Sequence, residues 1–255
     1  MSDDDAQGAN GASIGADLTR AGLDVTFIEQ WPAHVEAMRK GGIPIEMPDE
    51  TLVTPVRAFH LCEVATLREA FDIVLVVVKA YDTRWACELI KPLVKPDGLV
   101  VGVQNGMTME DVASIVGPER TLGAVIEVTS NMFQPGIVVR QTPPSGSWFG
   151  IGAFDASTHG RENEVGQCLR HARTVEITDD IRSAKWMKLV VNAAVDVGIG
   201  PAGDVWVTNK WQYYPAALGK VDEALSTLGG GQGVVVFFGM AKPVKTPLIG
   251  PPRQP

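Results

Sequence analysis

The sequence is short of cysteine, histidine and basic charge, and each shortage removes a class of function. Its 3 cysteines, Cys62, Cys87 and Cys168, are odd in number and far apart, so they outline neither a disulfide framework nor a zinc-ligand spacing. A reducing, cytoplasmic setting fits them. The 4 histidines, His34, His60, His159 and His171, are equally scattered, and no metal is expected. Lysine and arginine total 22 against 30 acidic residues, a formal charge of -8. That balance argues against nucleic acid as a partner, because a basic face supplies most of the affinity of such binders. Long apolar runs are missing as well. The longest, residues 73–78, falls far below the roughly 20 residues of a membrane span, and no charged-then-apolar leader is seen. No membrane partner is expected.

What the chain does contain is 45% hydrophobic residues over 255 positions, enough for one substantial core and a smaller second one. The organising stretch is 6–29, AQGANGASIGADLTRAGLDVTFIE. Gly8 and Gly11 stand where the second and third glycines of a G-x-G-x-x-G turn stand, one letting backbone approach a pyrophosphate, the other letting a helix lie close to a sheet. Ala12, Ile14, Leu18 and Ala21 give that helix an apolar side, Gly22 ends it, and Val25, Phe27 and Ile28 form a short strand stopped by Glu29. The carboxylate lies about 20 residues past the turn, where an acid accepts hydrogen bonds from a ribose. Two features depart from the motif. Ala6 replaces the first glycine, and Met1, Ser2, Asp3, Asp4 and Asp5 cannot form the buried strand that precedes such a turn, since buried parallel strands are almost continuously apolar. An ordinary glycine-containing loop is the competing reading.

Further along, residues 32–42 read as a helix ended by glycines, 44–57 as a surface hairpin, and 65–70 as a short helix. Residues 72–79, DIVLVVVK, are the strongest strand, suited to a central place covered on both faces, with Lys79 at its carboxyl end where open sheets bind ligands. A helix over 85–94, a strand over 99–103 tipped by Gln104-Asn105-Gly106, and a helix over 111–116 follow. Strands are expected at 121–129, 136–140 and 148–152, then a helix over 162–172, a strand at Thr174–Ile177 and a long helix at Ile181–Ala194. Glu127 falls near the ligand edge and reads as structural. The alternation predicts an α/β fold with a Rossmann-like, mostly parallel sheet that lacks a recognisable first strand, residues 1–178, followed by a shortened helical domain with an irregular tail, 179–255. Val234-Val-Val-Phe-Phe238 has the composition of a buried strand and is a candidate to fill the missing slot.

Together, Ala21-Gly22-Leu23-Asp24-Val25-Thr26-Phe27, DIVLVVVKAYDT at 72–83, Gln104-Asn105-Gly106, Pro135-Gly136 and IRSAKWMKLVVN at 181–192 resemble the ketopantoate reductase family over about residues 8–194. The resemblance implies reduction of a small 2-oxo acid, 2-dehydropantoate to pantoate in pantothenate biosynthesis, with NADP or NAD. It implies Lys188 as the catalytic lysine, with Trp186 beside it, Asn105 and Asn192 as further catalytic-site residues, and Lys79 with Gly8, Gly11, Glu29 and Asn105 on the cofactor. A lysine suits proton donation because burial brings its pKa towards neutrality. The plainer readings are a solvated helix lysine for Lys188, a turn for Asn105-Gly106 and a surface charge for Lys79. Members that prefer NADPH commonly place arginine after the second strand. Glu29 and Gln30 stand there in this chain, and a carboxylate repels a phosphate. The family's late serine- and glutamate-bearing segment has no counterpart after Ala194, although Asp196 takes a place one turn past Asn192. A homodimer is allowed for. The second function class is a non-catalytic, dinucleotide-binding remnant of the same family.

Overall fold

Gly8 adopts a left-handed φ of 84°, open to glycine and strained for other residues, and from it α1 (Ala9–Arg20) begins. The computed structural model describes residues 8–194, 197–199 and 205–207. In chain order there follow β1 (Thr26–Glu29), α2 (Pro32–Gly41), β2 (Ile43–Glu46), β3 (Thr51–Thr54), β4 (Arg57–His60), β5 (Phe71–Val76), α3 (Thr83–Ile90), β6 (Val94–Gly102) and α4 (Met109–Val116). Then come β7 (Thr121–Glu127), β8 (Ser130–Gln134), β9 (Ile137–Arg140), β10 (Trp148–Ala153), α5 (Glu162–Leu169), β11 (Thr174–Ile177) and α6 (Ile181–Ala194). The chain divides within α6 into one unit ending at Lys185 and another beginning at Trp186. In the second, the described residues after the helix are an antiparallel pair, β12 (Val197–Ile199) and β13 (Val205–Val207).

The first unit has the expected Rossmann-like α/β arrangement. A 5-stranded sheet runs β11-β10-β7-β6-β5, with β5, β6 and β7 parallel and β10 antiparallel to β7. A separate pair, β1 and β4, is also parallel. Among the described residues no strand joins β1 to β5, so both end their sheets. The expected central place of 72–79 is therefore corrected, while cover on both faces holds: Ile73, Leu75 and Val77 pack against one core, Val74 and Val78 against another. Among the described residues β5 ends its sheet, and Ile73, Val74 and Leu75 are half-buried. The stretch 234–238, proposed for that slot, lies outside the described residues, as do Ala6 and Asp196.

Helix α1 is buried along most of its length because it packs in two directions. Ile14 and Leu18 enter one core with Leu99, Val101, Leu122, Phe149 and Ile151. Ala9, Ala12 and Ala16 enter another with Val35, Met38, Ile43, Ile45 and Ala58. Each fully buried large side chain contributes about 1.5–3 kcal/mol, which is how a short helix with small residues is held against both sheets.

Several local expectations shift. The 44–57 hairpin is present as β2 and β3, but it is not merely superficial. β9 pairs with β2 to make a 4-stranded sheet, β3-β2-β9-β8, and Ile43 and Ile45 are fully buried in a core with Ala9, Ala12 and Ala16 of α1 and Val35 and Met38 of α2. The helix expected at 65–70 is instead a 3-10 turn at Leu61–Thr66. The helix expected over 85–94 ends at Ile90, and a 3-10 turn holding Pro92 follows, since proline supplies no amide hydrogen to continue the ladder. Strands β4 and β8 come without warning from the sequence pattern.

On one face of the main sheet, register aligns three glycines. Gly102 pairs with Gly123, and Gly123 with Gly152. The row leaves a trough into which Met109 of α4 and Ile181 of α6 settle: a Cβ on Gly123 would collide with the Met109 sulfur and come within 2.8 Å of Ile181, and one on Gly152 within 2.7 Å of Ile181. Close approach without side chains is what seats the start of α6 on the sheet.

Candidate functional site

The turn at Gly8 and the tip of β1 meet. A Cβ on Gly8 would come within 2.6 Å of Glu29 Oε2, so a side chain there would have to displace the carboxylate, and the positive φ favours glycine besides. Glu29 Oε1 accepts a hydrogen bond of 3.0 Å from the Trp31 amide, and burial pushes the Glu29 carboxyl up from its ordinary value, with the Trp31 and Gln30 amides pulling the other way. No side chain caps the start of α1, which has no acid in its first turn. Its free amides and positive dipole end face the same turn, an arrangement suited to a phosphate. Asn10 Oδ1, buried in that first turn, has no hydrogen-bond partner among the described residues. Nothing in the sequence pattern singled out Asn10. Gly11 lies one turn in, where a Cβ would touch Val77 at 3.4 Å, so α1 rests against the end of the β5 segment. An uncapped helix start, an orphaned amide oxygen and a carboxylate beside a glycine turn fit the phosphate and ribose of a dinucleotide.

Lys79 and Asn105 follow the carboxyl ends of neighbouring strands β5 and β6, and both are exposed. Between their loops sits Gln104, which is buried. Its Nε2 donates to Thr83 Oγ1 at 2.7 Å, and its Oε1 accepts from Thr108 Oγ1 at 3.0 Å. Thr83 Oγ1 in turn donates to the Ala80 carbonyl at 2.7 Å, next to Lys79. The two loops that carry the candidate residues are thereby tied together by neutral hydrogen bonds. The sequence motif contained Gln104 but assigned it no part.

Helix α6 brings another group to this edge. Lys185 is 2% exposed, and its Nζ donates to the Gln104 carbonyl at 2.8 Å. Burial lowers Lys185 to about 8, with Glu110 opposing the shift. Sequence reasoning passed over it. The available signal was spacing: Ile181, Lys185 and Lys188 fall at helical intervals on one stripe, and all three are buried. Lys188 belongs to the second unit and is buried, unlike a freely solvated helix lysine. Trp186 is exposed rather than packed away. Asn192 lies on α6, with its side chain outside the described residues. Glu127 is exposed at the end of β7.

A cavity of about 300 Å³ is lined by Phe154, Asp155, His159, Asp180, Ile181 and Arg182 among others. Two of its carboxylates are engaged locally: Asp155 accepts from the Ser157 amide at 2.7 Å and Asp180 from the Ser183 amide at 2.9 Å. The sheet-edge loops, not this cavity, hold the convergent chemistry. Among the described residues no group of three or more metal-ligating side chains occurs, and no helix is long and apolar enough to cross a membrane. The three cysteines are free.

Residues 7–153 match the ApbA family profile, described as ketopantoate reductase PanE/ApbA. The chain is 31% identical over 192 residues to a 2-dehydropantoate 2-reductase of Archaeoglobus fulgidus, an alignment covering 74% of this chain and 60% of that relative. To a 2-dehydropantoate 2-reductase of a Nostoc species it is 28% identical over 191 residues, covering 72% and 58%. Among solved structures, a 2-dehydropantoate 2-reductase from Geobacter metallireducens resembles it with a TM-score of 0.65 at 30% identity, covering 73% of this chain and 60% of that one. The chain thus spans about 60% of the length of these relatives.

Proposed function

The chain belongs to the ketopantoate reductase PanE/ApbA family, and from that premise we propose that it reduces a small 2-oxo acid, 2-dehydropantoate before others, with a nicotinamide cofactor. The observation that carries the reading is the Glu29 carboxylate set against the Gly8 turn at an uncapped helix start. That contact supports dinucleotide binding, and the comparison of wild type with Lys188→Ala separates a reductase from a non-catalytic, dinucleotide-binding remnant.

Gly8 and Gly11 would hold the pyrophosphate by backbone, Glu29 would accept from the adenosine ribose, and Lys79 and Asn105 would take the nicotinamide side. Since Glu29 is an acceptor that repels a 2′-phosphate, the cofactor we propose is NADH rather than NADPH. When bound, the nicotinamide supplies a hydride to the keto carbon. The carbonyl oxygen then needs a proton, which Lys188 donates, giving the 2-hydroxy acid. Asn105 and Asn192 orient the substrate, and the lysine ammonium also attracts its carboxylate.

Oxidation of NADH by 2-dehydropantoate tests this reading directly. Lys188→Ala is expected to lose about 10²–10⁴ in kcat, the usual contribution of a positioned general acid, with cofactor affinity kept. Equal rates for the two proteins remove Lys188 as the donor. Failure of both NADH and NADPH to bind removes the function.

A further inference from the structure

A buried ammonium that meets a peptide carbonyl, rather than a carboxylate, is an expensive way to fill space, and Lys185 is such a group. The charged neighbours are already committed. Glu110 of α4 forms an ion pair with Arg182 of α6, whose guanidinium also lies over the Phe154 ring at 4.8 Å, and Lys188 stands one turn further along α6. Beyond the charge of Glu110, which favours the ammonium, Lys185 donates to one atom, the oxygen of the peptide that links Gln104 to Asn105.

We propose that Lys185 is a positioning residue for the Asn105 turn: clamped on the Gln104 carbonyl, its ammonium fixes the plane of the 104–105 peptide and so the direction in which Asn105 presents its side-chain amide at the sheet edge. Gln104 cannot rotate to escape, because its side chain is held by Thr83 and Thr108. Nor can Lys185 drift, since Ile181, one turn earlier, is seated in the glycine trough. The clamp therefore couples the docking of α6 to the geometry of the loop. It rests on the reading that Asn105 contacts cofactor and substrate.

Protonation controls its strength. A charge-assisted hydrogen bond is roughly twice as strong as a neutral one, and burial brings Lys185 to about 8. Above that pH the clamp slackens. Over the same interval the folded state has less buried charge to bear, and because it binds fewer protons than the unfolded chain between about 8 and the ordinary 10.5, global stability rises with pH. Loop order and overall stability move in opposite directions, which a merely structural lysine would not produce.

The test uses the full chain, labelled with ¹⁵N, as wild type, Lys185→Met and Lys185→Arg, with folding checked by circular dichroism. The Asn105 amide is followed from pH 6 to 10, and NADH is titrated by fluorescence on the same samples. The expected result is an inflection in the wild-type Asn105 shift near pH 8 that both variants lose, with NADH bound roughly tenfold more weakly by Lys185→Met and largely rescued by Lys185→Arg. An inflection absent from the wild type, or persisting in Lys185→Met, overturns the clamp. If the inflection behaves as expected while no protein binds NADH, the positioning of Asn105 stands and the cofactor reading falls.

Discussion

Glu29 and Gly8 are neighbours through space: the Glu29 carboxylate occupies the room that any side chain at position 8 would need. Burial raises the Glu29 carboxyl, so the folded state binds more protons than the unfolded chain between the ordinary 4.5 and the raised value. Its ionised form therefore opposes folding at neutral pH, and that penalty is relieved as pH falls through the folded value. Glu29→Gln keeps an oxygen for the Trp31 amide and removes the buried charge. We expect a higher melting temperature at pH 7 together with weaker NADH binding, by about 1.5–3 kcal/mol for a lost charged acceptor. A melting temperature that falls, or an unchanged NADH Kd in titration, contradicts the assigned role.

His34 supplies a pH dependence of the opposite sign. It is buried, its Nδ1 accepts the Gly136 amide at 2.9 Å, and burial lowers it from 6.5 to about 4. Between those values the unfolded chain binds the proton and the folded one does not, so this contribution to stability is lost as pH falls from 6.5 towards 4. His34→Asn offers a non-titrating oxygen to the same amide. Urea midpoints at pH 7 and pH 4.5 should separate more for the wild type than for His34→Asn. Equal separations mean that His34 is not the group responsible.

Gly123→Ala tests how α6 is seated. Alanine in a strand gains roughly 0.5–1 kcal/mol in backbone entropy over glycine, but its Cβ would strike the Met109 sulfur and Ile181, and overpacking costs about 1–3 kcal/mol. The clash should win. A lowered melting temperature and loss of the Lys185 contact to Gln104 are expected, the latter visible as a flattened pH response of the Asn105 amide. Gly146→Ala, with its nearest neighbour at 3.5 Å and no positive φ, is the matched control and should be nearly neutral.

The contrast among these residues shows what the sequence could carry. Gly8, Gly11 and Glu29 were legible because a turn, a helix and a strand tip are set by neighbours in the chain, and strand β5 and helix α6 were legible from their apolar periodicity. The glycine row was not, because Gly102, Gly123 and Gly152 meet only once β6, β7 and β10 have chosen their registers. Lys185 was hidden for a related reason. Its motif places it beside Lys188, but only the docking of α6 brings its ammonium to the Gln104 carbonyl. Edge status misled the reading of 72–79, since a run of β-branched residues announces a buried strand without saying which neighbours it has.

Asp17 is the last such group, a single buried carboxylate serving several arginines. Its Oδ2 meets Arg140 Nη1 at 2.9 Å and also pairs with Arg173, while its Oδ1 pairs with Arg20. Arg140 and Arg173 have fully buried side chains, and burial lowers each to about 10, which leaves both charged at neutral pH. Arg140 has other acceptors in the Thr142 carbonyl and Ser147 Oγ, but both are neutral. Asp17→Asn therefore leaves two guanidinium charges in the core without a counter-charge between α1, β9 and the segment before β11. The expected loss is about 3–5 kcal/mol, the range for breaking a buried pair from one side, read as a drop in urea midpoint at pH 7. The paired change Asp17→Asn with Arg173→Met should recover part of it, because it removes one of the stranded charges together with its counter-ion. A double variant no more stable than Asp17→Asn alone would mean that the carboxylate acts on Arg140 and Arg20 without help from Arg173.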